Sequence, residues 1–203
     1  MTNYEFMEVS QVPASFPISE ERRQKADACK LEADRKRSLA ASYLITRIYE
    51  DAVSAKGAGS ADPARMKLAC TTDGKPYFRD HPQICFNVSH GGDYAFGAYS
   101  DRDIGVDIEK ADRKIPVLSD HAYTGADLRH IEDSEDPLMP LKIWVIRESI
   151  VKAMGLGIRA MTEFELMWLS EDSGITWGGA YSFHLMEDAP EGYVACVSER
   201  TGN

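Results

Sequence analysis

The sequence predicts an α+β protein made of two halves of comparable size. Stretches with helical periodicity cover residues 19–53 and 137–154, and each is followed by β-prone runs separated by turn signals. The resulting order of helices, strands, helices and strands predicts a boundary near residue 103. We therefore expect two domains, residues 1–103 and 104–203.

The first half is predicted to begin with a helix. Ser19 has the character of an N-cap, and apolar positions recur at helical spacing to about residue 53, with an interruption at or near Asp34. Residues 55–64 are rich in glycine and small side chains and predict a loop, and the Asp73-Gly74 turn predicts a strand after it. Strands are predicted at residues 75–78, 84–89 and 94–99.

The second half is predicted to contain one strand, one long helix and a second set of strands. The helix at 137–154 is expected to end at Gly155 or Gly157. Short turns between neighbouring β-prone runs favour antiparallel hairpins. Strands are predicted at residues 104–109, 163–169, 176–186 and 193–198.

The charge balance narrows the classes of partner. The 203 residues carry 23 Lys+Arg against 33 Asp+Glu, a net charge of −10, which disfavours a general binder of nucleic acid or anionic membrane. No apolar run reaches the ~18 residues of a membrane span, and residues 1–11 lack the layout of a secretory signal. We expect a cytoplasmic protein whose four widely spaced cysteines are reduced and packed as small hydrophobic groups.

Two acidic residues mark the first candidate site. In a strand at 104–109, Asp107 and Glu109 project to the same face, because residues two apart share a face. Two adjacent carboxylates repel each other unless a cation lies between them, and oxygen ligands suit Mg²⁺. The alternative is an exposed strand face carrying solvated acids.

The helix at 137–154 adds a second clue. Glu148 and Lys152 continue a stripe that begins with apolar side chains, on a helix that is apolar over much of its circumference. A carboxylate in that setting requires a partner. One interpretation is an ordinary i,i+4 salt bridge. The other is that Glu148 joins Asp107 and Glu109 around a metal while Lys152 reaches a bound phosphate.

Two further segments have the character of anion sites. Ser89 and His90 lead into the Gly91-Gly92 turn, where backbone N–H groups, a hydroxyl and an imidazole could converge on an anion. Ser89 lacks a nucleophile-elbow motif, which disfavours a hydrolase role. Residues 22–37 hold seven Lys+Arg and three Asp+Glu, a local charge of +4, which is either a solvated helix face or a site for a polyanion.

The motifs together resemble a known family. Residues 104–109 (IGVDIE) and 144–152 (WVIRESIVK), with Asp107 and Glu148 separated by 41 positions, resemble the signature of the 4′-phosphopantetheinyl transferases of the surfactin-synthetase-activating (Sfp) type. Residues 74–76 (GKP) and 86–90 (FNVSH) match the same family upstream.

The resemblance implies a monomer of two similar α/β halves related by a pseudo-twofold axis, with coenzyme A held between them. It implies Mg²⁺-dependent transfer of 4′-phosphopantetheine from coenzyme A to a serine of an apo carrier protein, with release of adenosine 3′,5′-bisphosphate. Mn²⁺ is an alternative metal. The N-terminal half is expected to hold the 3′-phosphate and adenine, and the C-terminal half the metal ligands and the catalytic helix.

The resemblance also implies roles for individual residues. The metal ligands are expected to be Asp107, Glu109 and Glu148. Glu148, Lys152 and His90 are expected to be catalytic. The remaining residues are expected to bind coenzyme A: Arg22, Lys25 and Arg37 near the 3′-phosphate, Lys75 and Pro76 by the adenine, and Ser89, His90 and Lys152 at the pyrophosphate.

Two positions depart from the family pattern. Arg147 stands where the signature has lysine, and because a guanidinium does not lose its proton, it is unsuited to act as a base. Asp127 resembles a family acid near the metal, but it is one methylene shorter than the usual glutamate.

Other functions remain open at the level of sequence. A Mg²⁺-dependent phosphohydrolase acting on coenzyme A or a nucleotide would share the carboxylates, and a non-catalytic module could bind coenzyme A or a carrier protein. The family also leads us to expect carrier recognition by residues 115–131, whose apolar side chains could equally belong to the core. The sequence does not select the carrier.

Overall fold

The structure, a computed structural model, describes residues 2–55, 61–113 and 122–202. The chain divides into two compact units, Met1–Asp101 and Arg102–Asn203. Each unit contains antiparallel sheet and a long helix packed against it, so the α+β class predicted from the sequence is confirmed.

The first unit is built on a three-stranded antiparallel sheet of order β1-β5-β4, with β2 and β3 forming a separate pair. Its elements are β1 (Asn3–Glu8), α1 (Glu20–Asp27), α2 (Glu32–Ala55), β2 (Leu68–Cys70), β3 (Pro76–Phe78), β4 (Cys85–Gly91) and β5 (Tyr94–Ser100).

Helix α2 supplies much of the core of this unit. Ile45 and Ile48, three positions apart on one face of the helix, are buried together with Phe78 and Phe86. The two phenylalanine rings stack with their centroids 4.3 Å apart. Because burying each such side chain stabilises the fold by roughly 1.5–3 kcal/mol, this packing fixes β3 and β4 against the helix.

The first helical region is two helices rather than one. Ser19 is the N-cap of α1, as predicted, and its Oγ accepts a hydrogen bond from the backbone N–H of Arg22 at 3.4 Å. The interruption falls between Asp27 and Glu32, a few residues before the predicted position at Asp34.

The second unit is built on a five-stranded antiparallel sheet of order β6-β10-β9-β8-β7. Its elements are β6 (Ile104–Lys110), α3 (Gly125–Asp133), α4 (Met139–Met154), β7 (Leu166–Trp168), β8 (Ser173–Thr176), β9 (Tyr181–Leu185) and β10 (Tyr193–Arg200).

Helix α4 lies against β6 and β10 and is buried over most of its circumference, as its sequence predicts. Val145, Ile146 and Ile150 are fully enclosed, and they pack against Phe183 of β9. The helix ends where Gly155 adopts a left-handed conformation with φ of 75°, which glycine enters without a steric penalty.

Several elements differ from the sequence prediction. Strand β1 and helix α3 were not predicted, and β6 pairs with β10 rather than forming a hairpin with β5. The single strand predicted at 176–186 is instead the last residue of β8, a turn in which Gly178 and Gly179 adopt left-handed conformations, and then β9. Part of the predicted loop at 55–64 and part of the predicted carrier segment at 115–131 lie outside the described residues.

Within the described ranges, no helix combines the length and the apolar character required to cross a bilayer.

Candidate active site

The strand and helix that carry the predicted metal ligands pack unusually closely. An ideal Cβ at Gly105 would lie 2.0 Å from the backbone oxygen of Ser149 and 2.3 Å from the backbone nitrogen of Ala153. Any side chain at Gly105 would therefore push β6 away from the backbone of α4. Glycine at this position brings the acidic strand and the predicted catalytic helix into contact.

That contact gathers three charged side chains of the second unit. Lys152 Nζ on α4 donates a hydrogen bond to Asp107 Oδ1 on β6 at 2.5 Å, and it lies 3.2 Å from Glu148 Oε2. Asp107 is almost fully buried, while 18% of the Glu148 side chain and 27% of the Lys152 side chain remain exposed. The cluster thus combines a buried acid with two groups that solvent or a ligand can reach.

The environment changes the protonation equilibria of this cluster. Burial, together with the negative charge of Asp107, raises the pKa of Glu148 above its usual range. Burial lowers the pKa of Lys152, but the charges of Asp107 and Glu148 outweigh this effect and raise that pKa overall. Lys152 is therefore held as a cation, and Glu148 binds a proton more readily than an exposed glutamate.

Glu109, the third predicted ligand, has a different partner. Its carboxylate forms an ion pair with Arg113, four residues further along the chain, and the guanidinium of Arg113 lies 5.3 Å from the centroid of the Trp144 ring. Only 14% of the Glu109 side chain is exposed. Glu109 and Asp107 share a strand, but they engage different cations.

The chemistry of its donors decides whether this site fits the implied divalent metal. Asp107 and Glu148 both direct a carboxylate oxygen at the Lys152 ammonium, and carboxylate oxygens are donors that suit Mg²⁺ or Mn²⁺. Among the residues that the structure describes, no three His, Cys, Asp or Glu side chains group closely enough to hold a metal ion. The donor chemistry fits through two carboxylates, and Glu109 would have to exchange Arg113 for the metal to join them.

In the first unit, two of the predicted phosphate-binding cations lie beside the β2–β3 hairpin. Arg22 Nε donates to Ser42 Oγ at 3.0 Å. The pKa values of Arg22 and Lys25 are both lowered, in each case chiefly by burial, and the charge of Arg22 lowers that of Lys25 further. Cys70, which also acts on both pKa values, pairs with Pro76 in the hairpin. Arg22 is partly buried and Lys25 is exposed, and two neighbouring cations that repel each other would be stabilised by an anion.

The residue before Pro76 is held in a defined turn. The backbone N–H of Lys75 donates to Thr71 Oγ1 at 3.1 Å, and the backbone N–H of Thr71 donates to the carbonyl oxygen of Lys75 at 2.9 Å. Gly74 adopts a left-handed φ of 87° inside this turn. Lys75 and Pro76, predicted to lie by the adenine, are thus in the same hairpin that approaches Arg22 and Lys25.

Arg37 and two of the predicted pyrophosphate residues, Ser89 and His90, lie near the turn between β4 and β5. Arg37 forms an ion pair with Asp34, and its Nη1 donates to the carbonyl oxygen of Gly92 at 3.5 Å. Ser89 and His90 are consecutive residues of β4, so their side chains point to opposite faces; Ser89 is buried and His90 is exposed. His90 is therefore the more accessible of the two side chains.

The two departures from the family pattern are partners. Arg147 Nε donates to Asp127 Oδ2 at 2.7 Å, and both side chains are buried. The structure thus places Asp127 in an ion pair with Arg147 at the start of α3, where it also accepts a hydrogen bond from the backbone of Thr124. The sequence offered one signal for this position, the capping-box spacing of Thr124 and Asp127.

Comparisons with known proteins assign the chain to a family. A model described as "4'-phosphopantetheinyl transferase superfamily" matches residues 103–195, and one described as "4'-phosphopantetheinyl transferase, N-terminal" matches residues 9–101. A 4'-phosphopantetheinyl transferase of Bacillus subtilis is 27% identical over 184 residues, 88% of this chain and 74% of that protein.

Two other relatives agree. The Bacillus subtilis 4'-phosphopantetheinyl transferase ffp is 26% identical over 78% of this chain and 70% of its own length. The L-aminoadipate-semialdehyde dehydrogenase-phosphopantetheinyl transferase of Xenopus laevis is 27% identical over 70% of this chain and 50% of its own length.

The two family matches and the similar proteins make this protein a transferase enzyme. The chain belongs to the 4′-phosphopantetheinyl transferase superfamily, and within it to the surfactin-synthetase-activating (Sfp) type. The resemblance identified from the sequence is confirmed.

Proposed function

We propose that the protein transfers 4′-phosphopantetheine from coenzyme A to a serine hydroxyl of an apo carrier protein and releases adenosine 3′,5′-bisphosphate. The observation that carries the proposal is the cluster of Asp107, Glu148 and Lys152, where a buried acid, a proton acceptor and a cation meet on β6 and α4. The names of the relatives support the group that is transferred.

The transfer requires a nucleophile, a proton acceptor and neutralisation of charge. The carrier serine oxygen forms a bond to the phosphorus next to the pantetheine, and the bond from this phosphorus to the bridging oxygen of the pyrophosphate breaks. Glu148 takes the serine proton, and its raised pKa makes it a stronger base than an ordinary glutamate. Lys152 and His90 supply positive charge to the pyrophosphate as charge develops on the leaving bisphosphate.

Binding of coenzyme A is assigned to the first unit and to Lys152. The side chains near the β2–β3 hairpin offer cations to the 3′-phosphate and a turn to the adenine. The proposed contacts are Arg22, Lys25 and Arg37 for the 3′-phosphate, Lys75 and Pro76 for the adenine, and Ser89, His90 and Lys152 for the pyrophosphate.

The metal is assigned to the second unit. Asp107, Glu109 and Glu148 would hold it, and Mg²⁺ or Mn²⁺ would neutralise phosphate oxygens in the ground state and as the leaving group departs. Asp107 is the best placed of the three, because its burial fixes the carboxylate against α4.

The experiment is a mass measurement. The protein is incubated with coenzyme A, Mg²⁺ and a panel of apo acyl, peptidyl and aryl carriers. We expect one or more carriers to gain about 340 Da, the mass of the transferred group. Omitting Mg²⁺ and adding a chelator should stop the gain.

Matched variants locate the chemistry. Asp107→Asn should reduce transfer at least about a hundredfold, because it removes a charge from the site at constant shape. Asp112→Asn is the control: this acid pairs with Lys110 at the surface, and its loss should leave transfer unchanged. Bisphosphate release without a carrier would instead indicate a phosphohydrolase, and coenzyme A binding without any turnover would indicate a binding module.

The proposal extends to the cellular setting. We propose a monomer acting in the cytoplasm on carrier proteins, with neither nucleic acid nor membrane as a partner. Carrier recognition is assigned to residues 115–131, where Leu128 of α3 is 38% exposed.

A further inference from the structure

Arg147 is the largest fully buried side chain in the described part of the protein. Its guanidinium is satisfied on every side. Nε donates to Asp127 Oδ2 at 2.7 Å, Nη2 lies 2.6 Å from the same oxygen, and Nη2 also donates to Thr124 Oγ1 at 3.3 Å. Nη1 donates to the carbonyl oxygens of Met161 and Phe164.

Asp127 is equally constrained. Its carboxylate accepts hydrogen bonds from the backbone N–H of Thr124 at 2.7 Å and from Thr124 Oγ1 at 3.1 Å, while its own backbone N–H donates to that Oγ1. The side chain is 3% exposed. The N-terminus of α3 is therefore fixed to the guanidinium of Arg147.

These contacts join three segments of the second unit. Arg147 is anchored on α4, Asp127 on α3, and the two carbonyl acceptors lie between α4 and β7. On β6, helix α4 contacts the backbone at Gly105. Helix α4 is thus held by a hydrogen-bonded clamp as well as by a close backbone contact. Glu148 directly follows Arg147 in the sequence of α4.

Stability alone is a weak explanation for such a pair. Taking two charges out of water costs several kcal/mol per ion, and buried ion pairs can often be replaced by apolar side chains without loss of stability. What an apolar replacement does not reproduce is the fixed direction of a guanidinium with five donors. The geometry favours a role in orientation.

We infer that Arg147 and Asp127 are positioning residues for Glu148 and Lys152, an inference that rests on the proposed function. The pair sets the rotation and position of α4, and through them the distance from Lys152 to Asp107. The decisive quantity is the reach of the pair, the combined length of the side chains at positions 147 and 127. Lysine at 147 is shorter than arginine and offers no fork, whereas glutamate at 127 is one methylene longer than aspartate. Combining the two changes restores the reach.

The test is a double-mutant cycle on the 203-residue chain with Arg147→Lys, Asp127→Glu and both together. Each single variant should lower kcat for carrier modification by about a hundredfold, the effect of displacing a catalytic group by about 1 Å. The KM for coenzyme A should change by much less than kcat, because most of its proposed contacts lie in the first unit and only the Lys152 contact moves with α4. The double variant should recover at least tenfold in kcat over either single variant. This recovery corresponds to a coupling free energy of roughly 1.4 kcal/mol, within the range measured for residues in contact.

Hydrogen exchange provides a readout that does not depend on activity. Amides of residues 146–153 should exchange faster in each single variant and return towards the wild-type rate in the double variant. If the wild type modifies no carrier, the proposed function fails while the exchange cycle still decides the positioning role. Where Arg147→Lys does not fold, Asp127→Asn, which keeps the shape and removes the charge, is measured in its place by the same two readouts.

The matched control is an Asp-to-cation pair at the start of α4, away from the proposed site. Lys142 and Asp136 form a half-exposed ion pair at 2.8 Å, and Lys142→Arg with Asp136→Glu should leave kcat and exchange unchanged. The inference is overturned if the Arg147 and Asp127 variants lower the melting temperature but keep kcat and the exchange of residues 146–153, or if the double variant shows only the sum of the single effects.

Discussion

At the scale of single residues, Cys196 places a thiol next to the proposed site. It lies directly opposite Asp107 in the β6–β10 pairing and is fully buried. Burial raises the pKa of its thiol to about 12, although hydrogen bonds with Ser149 and Ser198 oppose the shift. A thiolate here would add a second negative charge beside Asp107, and burial prevents it from forming near neutral pH.

This protection predicts a difference in reactivity between thiols. At pH 8, Cys196 should not react with a thiol reagent in the folded protein, whereas exposed Cys70 should react. Counting the labelled thiols before and after denaturation, in wild type and Cys70→Ser, checks this. Rapid labelling of Cys196 in the folded state would contradict it.

The raised pKa of Cys196 also makes the stability of the fold depend on pH. The folded-state pKa, about 12, lies above the ordinary thiol value of 9.0, so the contribution of the neutral thiol is complete below pH 9 and is lost as pH rises towards 12. The advantage of wild type over Cys196→Ala in melting temperature should narrow across that window.

Residue by residue, the site was predictable where its contacts are local or follow a simple period. Glu148 and Lys152 are one helical turn apart, and the alternation along β6 placed Asp107 on one face, so their chemistry was visible in the sequence. The contact between Arg147 and Asp127 spans 20 positions and two helices, and no local pattern encodes it. In the sequence, Arg147 and Asp127 therefore stand out only as two separate departures from the family pattern.

At the scale of elements, the contact between β6 and α4 depends on Gly105. Gly105→Ala should lower the free energy of unfolding by about 3 kcal/mol or more and abolish transfer, because the new Cβ would lie within 2.3 Å of two backbone atoms of α4. Urea denaturation and the carrier mass assay measure the two effects.

Gly125→Ala is the control for this change. An ideal Cβ at Gly125 would lie 3.6 Å from Arg129 Nη1, an ordinary contact. Its effect on stability should stay below about 1 kcal/mol. Equal effects of the two substitutions would contradict the importance of the close approach.

The elements themselves were predictable in proportion to the strength of their periodicity. Helix α4 and strands β4, β5 and β6 carry long, regular apolar patterns and appeared near their predicted bounds. Strand β1 was missed because only Met7 of its six residues is buried, and its place is set by pairing with β5, about 90 residues away. Helix α3 was missed because it buries little apolar surface of its own.

At the scale of the whole molecule, charge is distributed unevenly. Residues 1–101 carry 13 Lys+Arg and 14 Asp+Glu, whereas residues 102–203 carry 10 and 19. Nearly all of the net charge of −10 therefore belongs to the second unit. The proposed nucleotide contacts lie in the nearly neutral unit, where a polyanion meets little long-range repulsion, and the acidic unit is the one suited to a metal.

The division into two units also determines what optical probes of unfolding can detect. Trp144, Trp168 and Trp177 all lie in the second unit, and residues 1–101 contain no tryptophan. Intrinsic tryptophan fluorescence therefore reports on one unit, whereas far-ultraviolet circular dichroism reports on both. Because each unit has its own core, we expect the two urea curves to separate; coincident curves would show that the units unfold together. A variant that disrupts only the first unit could thus escape a fluorescence screen entirely.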